Sequence, residues 1–344
     1  MDFAHRRTDV LLADLEQRVS ILYSEAYKDL EKKVKVYFAS FEKRDKAMKQ
    51  LVDSGEMTQT DYNLWRQNQI GRGRRFEALR DEVAQRMVDA NAVAEAYIND
   101  LTPSVMSLNR NYVAYTIEKE YGNIGFTLWN DDTVRRLMVE QPRLLPPTKQ
   151  DIPKALLWNM QEITKQVASG IIQGESVGMI ATRLLNHIPN MNRIMAVRNA
   201  RTAITAAQNG GRQQSFEFGA QMGLSPRKRW VATKDNRTRH SHGMLDGQTV
   251  DYNKPFEYGG EQLMFPGDTS LGASPAMIYN CRCTMRNVEK EGIEEEPRQM
   301  RVHNPAWDKA TPEERKENNI PRNIVVNEMT YKEWLEWKKA LNEL

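Results

Sequence analysis

Two histidines and two cysteines offer nitrogen and sulfur atoms of the kind that bind transition metals. Cys281 and Cys283 are the only cysteines in 344 residues, and they lie one residue apart. His240 and His242 have the same spacing, so each pair would point to one side of an extended chain. Two such pairs can supply the ligands of a tetrahedral zinc site, although zinc-binding cysteines are more often separated by two to four residues. These four residues are therefore candidate metal ligands.

A packing role without metal is the alternative for the same residues. Cysteine is among the most buried residue types, so Cys281 and Cys283 would then be small buried side chains on a strand. His242 would form a hydrogen bond to a loop. A disulfide across one intervening residue would be strained and is not expected in a reducing compartment. The sequence leaves the metal and packing roles open.

A basic cluster lies just before the histidines, at residues 226–240. It has six Lys or Arg residues against one acid: Arg227, Lys228, Arg229, Lys234, Arg237 and Arg239. Contacts to phosphate need this kind of charge, and Trp230 within the cluster could stack or anchor. The alternative is a solvated strand face with Trp230 in the core. The six residues are candidate contacts to DNA.

Catalysis is a further alternative for this region. His240, His242, Asp235 and Asp246 could surround a metal ion, with a histidine as general base. Their order in the chain matches no metal-nuclease motif, and Arg201 alone is too little to predict sugar or nucleotide transfer. We therefore expect a protein that is not an enzyme, with a metal-dependent nuclease as the alternative.

The composition describes a polar chain with nearly balanced charge. Charged residues make up 28% of the sequence, and 49 basic against 46 acidic side chains give a net charge of +3. This balance excludes a uniformly basic nucleic-acid-binding coat but allows a local basic patch. No apolar run reaches the roughly 18 residues of a membrane-spanning helix. The N-terminus lacks the pattern of a secretory signal, so we expect synthesis in the cytoplasm.

Most of the chain is predicted to be helical, and these helices must position the candidate residues. Between residues 9 and 50, apolar side chains recur every three or four positions, which is typical of one helix face. Thr58 or Thr60 is a predicted cap for the next helix. The alanine-rich segment 192–218 predicts a long helix that is interrupted at Gly210-Gly211.

From Ser225 onward the sequence becomes rich in Gly, Pro, Asp and Asn. Short apolar stretches at 227–234, 248–252 and 281–289 predict strands joined by turns. The predicted fold class is therefore α+β, with an extended mainly helical N-terminal region before a small loop-rich module and a C-terminal helix. We predict four regions: helical at 1–145, a helical packing region at 146–224, the compact module at 225–290, and a polar tail at 291–344.

The tail ends in an amphipathic helix. Thr330 and Glu333 have the spacing of a capping box at its start. A terminal helix that carries Trp334 and Trp337 needs a surface to dock on, either in its own domain or on another subunit. Both tryptophans are therefore predicted partner-binding residues.

Several short motifs follow one another between about Arg198 and Val288. RTAITAAQNGGR is followed by RWVATKDNRTRHSHGMLDGQTV, then by FPGD, and finally by YNCRC. Any of them alone would be weak, but together and in this order they resemble the phage Mu F-like minor head proteins, also called phage head morphogenesis proteins. The preceding helices resemble the variable portion of that family.

The resemblance implies a minor capsid protein of a tailed phage or prophage. Such proteins are made in the host bacterial cytoplasm with the portal and scaffold, and they are packaged in few copies inside the capsid of the virion. The implied partners are the portal protein, the major capsid or scaffold protein, and double-stranded DNA, with no membrane.

The resemblance also bears on the metal ligands. Some relatives carry Cys-x-x-Cys where this chain has Arg239 through His242, so His242 is the implied partner of Cys281 and Cys283. Zn²⁺ is the ion that this arrangement implies. Either His240 fills the fourth position or the site has decayed.

Overall fold

A computed structural model describes residues 1–141, 147–288 and 301–342. The acidic segment at 291–297, with which the predicted tail begins, and Pro142 and Pro146 of a proline-rich linker lie outside the described residues. In the described parts, long helices precede short strands in small sheets. The predicted α+β class is confirmed.

The chain up to residue 221 is mainly helical. The helices are α1 (Phe3–Ala39), α2 (Glu42–Asp53), α3 (Gln59–Ile70), α4 (Arg74–Tyr121), α5 (Asp131–Glu140), α6 (Ile152–Ile172) and α7 (Val177–Gln221). Three of these helices start with ordinary capping chemistry. Thr58, Asn130 and Asp151 each accept a backbone N–H from the first turn of α3, α5 and α6, respectively. Of the two threonines proposed as a cap, the structure uses Thr58.

Two long helices contain a proline in their interior. α4 contains Pro103, and α7 contains Pro189. A proline inside a helix removes one backbone hydrogen bond. α7 also passes through Gly210 and Gly211 without interruption. A side chain at Gly211 would place its Cβ 2.4 Å from the Met106 carbonyl oxygen of α4, so this glycine permits close helix packing and does not end the helix.

The loop-rich module contains a small hairpin, with three short elements before it and two after it. Its elements are β1 (Arg227–Val231), α8 (His240–Leu245), β2 (Thr249–Asp251), β3 (Phe256–Tyr258), β4 (Glu261–Leu263), α9 (Pro275–Ile278) and β5 (Thr284–Val288). β1 is the central strand of an antiparallel sheet in the order β2-β1-β5, and β3 pairs with β4. In this register Trp230 is opposite Met285, and both side chains are fully buried.

The tail combines a two-stranded sheet with short helices. Its elements are β6 (Arg301–His303), α10 (Pro305–Lys309), α11 (Pro312–Glu317), β7 (Asn323–Val325), a 3-10 turn at Val326–Glu328, and α12 (Tyr331–Asn342). Thr330 and Glu333 form the predicted capping box: the Glu333 N–H donates to Thr330 Oγ1 (3.3 Å), and the Thr330 N–H donates to Glu333 Oε2 (2.7 Å).

The described chain divides into two compact units. Unit 1 contains residues 1–12, 99–147 and 201–344, and unit 2 contains residues 13–98 and 148–200. Each unit combines segments that are distant in the sequence. The division into four sequential regions stays a prediction.

Unit 2 is a helical unit with polar groups inside its core. Val19, Val83 and Ile163 are among its buried apolar residues. Asn192 Nδ2 donates to Asn159 Oδ1 (2.8 Å), and Asn192 Oδ1 accepts from Asn91 Nδ2 (3.1 Å). Because each buried amide has a partner, the cost of removing it from water is offset.

Unit 1 holds the module and the tail around one apolar core. Trp230, Phe256, Met285 and Trp334 are completely buried in it, together with Phe216 of α7. No helix in the described residues is both long and apolar enough to cross a lipid bilayer.

Candidate metal site and the cleft beside it

The two cysteines follow a tight turn in unit 1 and precede β5. Asn280, just before them, has a left-handed backbone with φ of 57°, a conformation that asparagine tolerates better than most residues. The Asn280 N–H donates to Thr202 Oγ1 on α7 (3.0 Å), which fixes the turn. Cys281 and Cys283 thus lie on a connecting segment, whereas the sequence placed them on a strand that began at Cys281.

A buried polar stripe on α7 holds this connecting segment by its backbone. The stripe consists of Thr205, Gln208, Asn209 and Arg212, which share one helix face. Thr205 Oγ1 donates to the Cys281 carbonyl (2.6 Å), and Asn209 Nδ2 donates to that of Cys283 (3.1 Å). Asn209 Oδ1 accepts the Met285 N–H (3.1 Å), and Arg212 Nη1 donates to the Met285 carbonyl (2.8 Å). The stripe supplies the hydrogen bonds that these peptide groups would otherwise form with a neighbouring strand.

His242 completes the group from α8. Its Nδ1 lies 3.3 Å from Cys283 Sγ and 3.5 Å from Cys281 Sγ. The Cys283 N–H donates to Cys281 Sγ (3.4 Å). All three side chains are at most 3% exposed, and the Trp230 ring packs edge-on against the imidazole. The three residues form what we call the His-Cys-Cys group.

The spacing of the His-Cys-Cys group fits a metal ion. Zinc bonds of about 2.3 Å to sulfur and about 2.1 Å to nitrogen, at tetrahedral angles, separate neighbouring ligand atoms by about 3.5–3.8 Å. The nitrogen–sulfur distances found here, 3.3 and 3.5 Å, are close to that range. Among the described residues, these three are the group whose His, Cys, Asp or Glu atoms lie close enough together to hold an ion.

The two thiols are free, and they differ in acidity. The hydrogen bond between their sulfur atoms lowers the pKa of Cys283 to about 5 and raises that of Cys281 well above its usual value. Burial raises the pKa of both thiols, and the His242 ring lowers that of Cys283. Near neutral pH the pair therefore holds one buried thiolate, and the thiolate is the form that binds metals.

The orientation of His242 is set by packing. Its Nε2 atom is buried and has no hydrogen-bond partner among the described residues. Metal-bound histidines commonly donate their second nitrogen to a carboxylate or carbonyl. The ring is instead held between the two sulfur atoms and Trp230.

His240 and the two aspartates of the nuclease hypothesis have other partners. His240 is exposed, and its Nδ1 lies 3.2 Å from Tyr258 Oη. Asp235 accepts two hydrogen bonds from Arg282 (2.6 and 2.8 Å), which lower the pKa of its carboxyl. Asp246 accepts the Ala232 N–H (2.9 Å). The structure therefore brings together three of the four predicted metal ligands, with His240 outside the group.

The predicted DNA-contacting residues do not share one face. Lys228 points inward because side chains alternate along β1. It is fully buried, and its Nζ donates to the Met264 carbonyl (2.7 Å). Arg227 and Arg229 lie on the outer face of the strand, where Arg229 Nε donates to Thr249 Oγ1 (2.8 Å). The other three predicted residues come after β1: Lys234, Arg237 and Arg239.

Part of the basic cluster lines a cleft over the His-Cys-Cys group. The cleft has a volume of about 470 Å³, including the space open to solvent. Its lining includes all three residues of the group and the arginines Arg201, Arg237, Arg239 and Arg282. Lys234 is directed elsewhere, with its Nζ 3.0 Å from Asp246.

Sequence reasoning missed the residues that support this site. In the sequence, Arg282 is only the residue between the two cysteines, and the α7 stripe belongs to a segment whose alanine content predicts a helix. A signal was available, because Arg201, Thr205 and Asn209 recur at four-residue intervals. Polar residues that share one face of a helix, where the other side chains are small and apolar, indicate that this face forms hydrogen bonds inside the fold.

Trp334 and Trp337 are buried in the core of unit 1. Trp334 Nε1 donates to Glu118 Oε2 (2.8 Å), and Lys338 Nζ donates to Glu118 Oε1 (2.9 Å). Of the two docking surfaces that the sequence left open, the structure shows the helix docked on its own unit. A contact of these tryptophans with a partner stays a prediction.

Comparison with known proteins gives two relatives. The chain is 24% identical over 286 residues to minor head protein GP7 of Bacillus phage SPP1, which covers 80% of this chain and 83% of that protein. It is 33% identical over 138 residues to NAD(+)--arginine ADP-ribosyltransferase EFV of Enterococcus faecalis, which covers 40% of this chain. The chain spans only 27% of the length of that transferase. No solved structure matches it.

The match to a family is confined to the part of the chain that contains the site. Residues 161–286 match the family described as Phage Mu protein F like protein. This range includes the α7 stripe, β1, His242 and both cysteines. The family match and the minor head relative confirm the resemblance in the sequence, and residues 161–286 are similar to the Phage Mu protein F like proteins.

Proposed function

We propose that this chain is a minor head protein that takes part in head morphogenesis of a tailed phage or prophage. The observation that carries the proposal is the similarity to minor head protein GP7, which extends over 80% of this chain and 83% of that relative. In this proposal the chain lies inside the capsid near the portal, and it binds the portal protein and the major capsid or scaffold protein.

Exposed apolar side chains on the helices of unit 2 support a docking role. Ile21 and Val36 on α1 are 51% and 62% exposed, and Ile172 at the end of α6 is 74% exposed. Ile21 and Val36 are fifteen positions apart by their numbering, which places them on neighbouring parts of one helix face. Apolar side chains on such a face can be covered by another protein.

Co-purification tests the proposal. A tagged copy of the chain, expressed with its phage or prophage genes, should be recovered with the portal protein and with procapsids. An Ile21→Glu/Val36→Glu variant should fold normally and be lost from those particles, whereas the exposed Lys32→Glu control should remain. Absence of the wild-type chain from both procapsids and virions would refute the proposal.

Contact with packaged DNA is the second part of the proposal. Arg227, Arg229 and Lys234 are at least partly exposed on the module. Contacts to phosphate release counterions, so binding should weaken steeply as salt is raised. Affinity for duplex DNA that stays constant between low and high salt would contradict this part.

The His-Cys-Cys group would hold Zn²⁺ through His242 Nδ1 and the two sulfur atoms. Bound there, zinc would cross-link α8 to the segment before β5 through three protein ligands, one fewer than a closed structural site uses. The carbonyls of that segment are already fixed by Thr205 and Asn209, so the sulfur atoms are positioned in advance. This arrangement supports a stabilising role for the group.

A metal-dependent nuclease is the second candidate function. The observation that favours it is that the His-Cys-Cys group lines an open cleft beside arginines. Incubation of the pure protein with plasmid DNA and a series of divalent metals distinguishes the candidates. Cleavage that is lost in a His242→Ala variant would support the nuclease, and no cleavage with any metal would eliminate it.

A further inference from the structure

The cleft beside the His-Cys-Cys group carries more positive than negative charge. Asp235 accepts two hydrogen bonds (2.6 and 2.8 Å) from Arg282, which lines the cleft. The same carboxylate lies 3.7 Å from Arg237, whose side chain is 67% exposed. One carboxylate therefore faces two guanidinium groups, and a positive charge remains.

Arg239 adds another positive charge to the cleft. Its Nη2 donates to the Tyr279 carbonyl (2.6 Å), which is a neutral partner. A guanidinium has five N–H donors, so one such bond fixes the side chain while others can reach a ligand. Arg239 is thus both positioned and not neutralised by this contact.

The lining of the cleft suits a small oxyanion. It combines buried atoms of His242, Cys281 and Cys283 with the guanidinium groups of four arginines, which outnumber the one thiolate of the cysteine pair. Guanidinium groups bind the oxygens of phosphate by pairs of parallel hydrogen bonds. The bidentate pair between Arg282 and Asp235 holds one of these groups in place without using Arg237 or Arg239.

We propose that this cleft binds a phosphate group through Arg237 and Arg239, with Arg282 held beside them by Asp235. The phosphate comes either from free inorganic phosphate or from the backbone of DNA, since the two present the same oxygen chemistry. The site differs from the basic cluster seen in the sequence, because it includes Arg282 and excludes the residues of β1 and Lys234. It requires neither a metal at the His-Cys-Cys group nor a place in the phage head.

Calorimetry with inorganic phosphate tests the site in the full-length protein. We expect saturable binding at constant ionic strength, in excess of any response to chloride. Arg237→Gln/Arg239→Gln should weaken it at least tenfold, and the single variant Arg237→Gln, at an exposed side chain, should weaken it measurably without affecting folding. Lys316→Gln/Arg322→Gln removes two exposed charges of the tail and should bind phosphate as the wild type does.

Fluorescence anisotropy with a short DNA duplex identifies the source of the phosphate. If Arg237→Gln/Arg239→Gln also loses DNA binding, and inorganic phosphate competes with DNA for the wild type, the site takes the DNA backbone. If only phosphate binding falls, the site takes the free anion. The proposal is overturned if wild-type protein shows no saturable phosphate binding, or if the cleft variant equals the tail variant in both assays.

Discussion

His242 Nδ1 lies 3.3 Å from Cys283 Sγ, although 41 positions separate these residues in the chain. The contact connects α8 to the segment before β5, while β5 itself pairs with β1. His242 and Cys283 are both buried, so the contact is part of the interior of unit 1. Any ion bound between them would add a cross-link to a loop-rich module that has only short strands.

Asn209 is expected to be essential for this arrangement. Asn209→Ala removes the donor to the Cys283 and Pro266 carbonyls and the acceptor of the Met285 N–H, all inside the fold. Buried groups left without partners cost about 1–3 kcal/mol each, so we expect a loss of about 3 kcal/mol in the free energy of unfolding. Urea unfolding measures it. Gln214→Ala, at a half-buried amide of the same helix, should change stability by less than about 0.5 kcal/mol.

The adjacent glycines of α7 should respond in opposite ways to alanine. Gly211→Ala forces a Cβ against the Met106 carbonyl oxygen and should destabilise the protein by about 1–3 kcal/mol. A Cβ at Gly210 would meet its nearest neighbour, Phe265, at 3.8 Å. Gly210→Ala should therefore be neutral or stabilise by up to about 1 kcal/mol, because alanine favours helix more than glycine does. Thermal unfolding of both variants decides the matter, and an equal loss in both would contradict close packing at Gly211.

The buried ion pair of Glu118 and Lys338 should anchor the terminal helix. Glu118→Gln leaves the Lys338 ammonium buried without its anion, and we expect a loss of about 3–5 kcal/mol. Adding Lys338→Met should restore part of that loss, with a coupling energy of about 1–3 kcal/mol in a double-mutant cycle. Lys332→Met, at an exposed position of α12, is the matched control. Additive effects of the two substitutions would show that the pair does not act as a unit.

Lys228 makes stability depend on pH in the alkaline range. Burial lowers the pKa of Lys228 from 10.5 to about 8. Between these values the unfolded chain binds a proton that the folded protein has released, so the free energy of unfolding should rise with pH. The charged lysine therefore destabilises the fold fully below about pH 8, and this cost is relieved as the pH approaches 10.5, by at most about 3 kcal/mol.

Comparison with Lys228→Met isolates this effect from other titrating groups. The variant lacks the ionisable group, so the stability of the wild type relative to Lys228→Met should increase between pH 7 and pH 10. Chemical unfolding at a series of pH values measures the difference. A difference that is constant or decreases over this range would contradict a lowered pKa at Lys228.

Local sequence signals predicted most of the helices and strands. Apolar side chains at helical spacing marked α1, and alternation with turn residues marked β1 and β2 near the predicted positions. The signals failed where tertiary contacts override a local preference. The predicted interruption at Gly210-Gly211 does not occur, and Gly211 instead lies inside α7 where α4 approaches it closely.

The site was only partly visible in the sequence. Residue type and spacing identified His242, Cys281 and Cys283 as candidate metal ligands, but they predicted His240 as a ligand equally well. The two histidines are separated by one residue, and on the short helix α8 that spacing points them in different directions, in contrast to an extended strand. The hydrogen bonds from the α7 stripe to the cysteine segment could not be predicted. No local pattern in the sequence shows which backbone groups a buried side-chain amide will bind.

The metal content of the purified protein tests the central claim about the His-Cys-Cys group most directly. Protein purified without chelators should contain about one zinc ion per chain by elemental analysis, since the group offers one set of ligands. Cys281→Ser/Cys283→Ser should lose it, and His240→Ala should retain it because His240 lies outside the group. Wild-type protein that contains no zinc and takes up none on titration would contradict the claim and leave the group with a packing role.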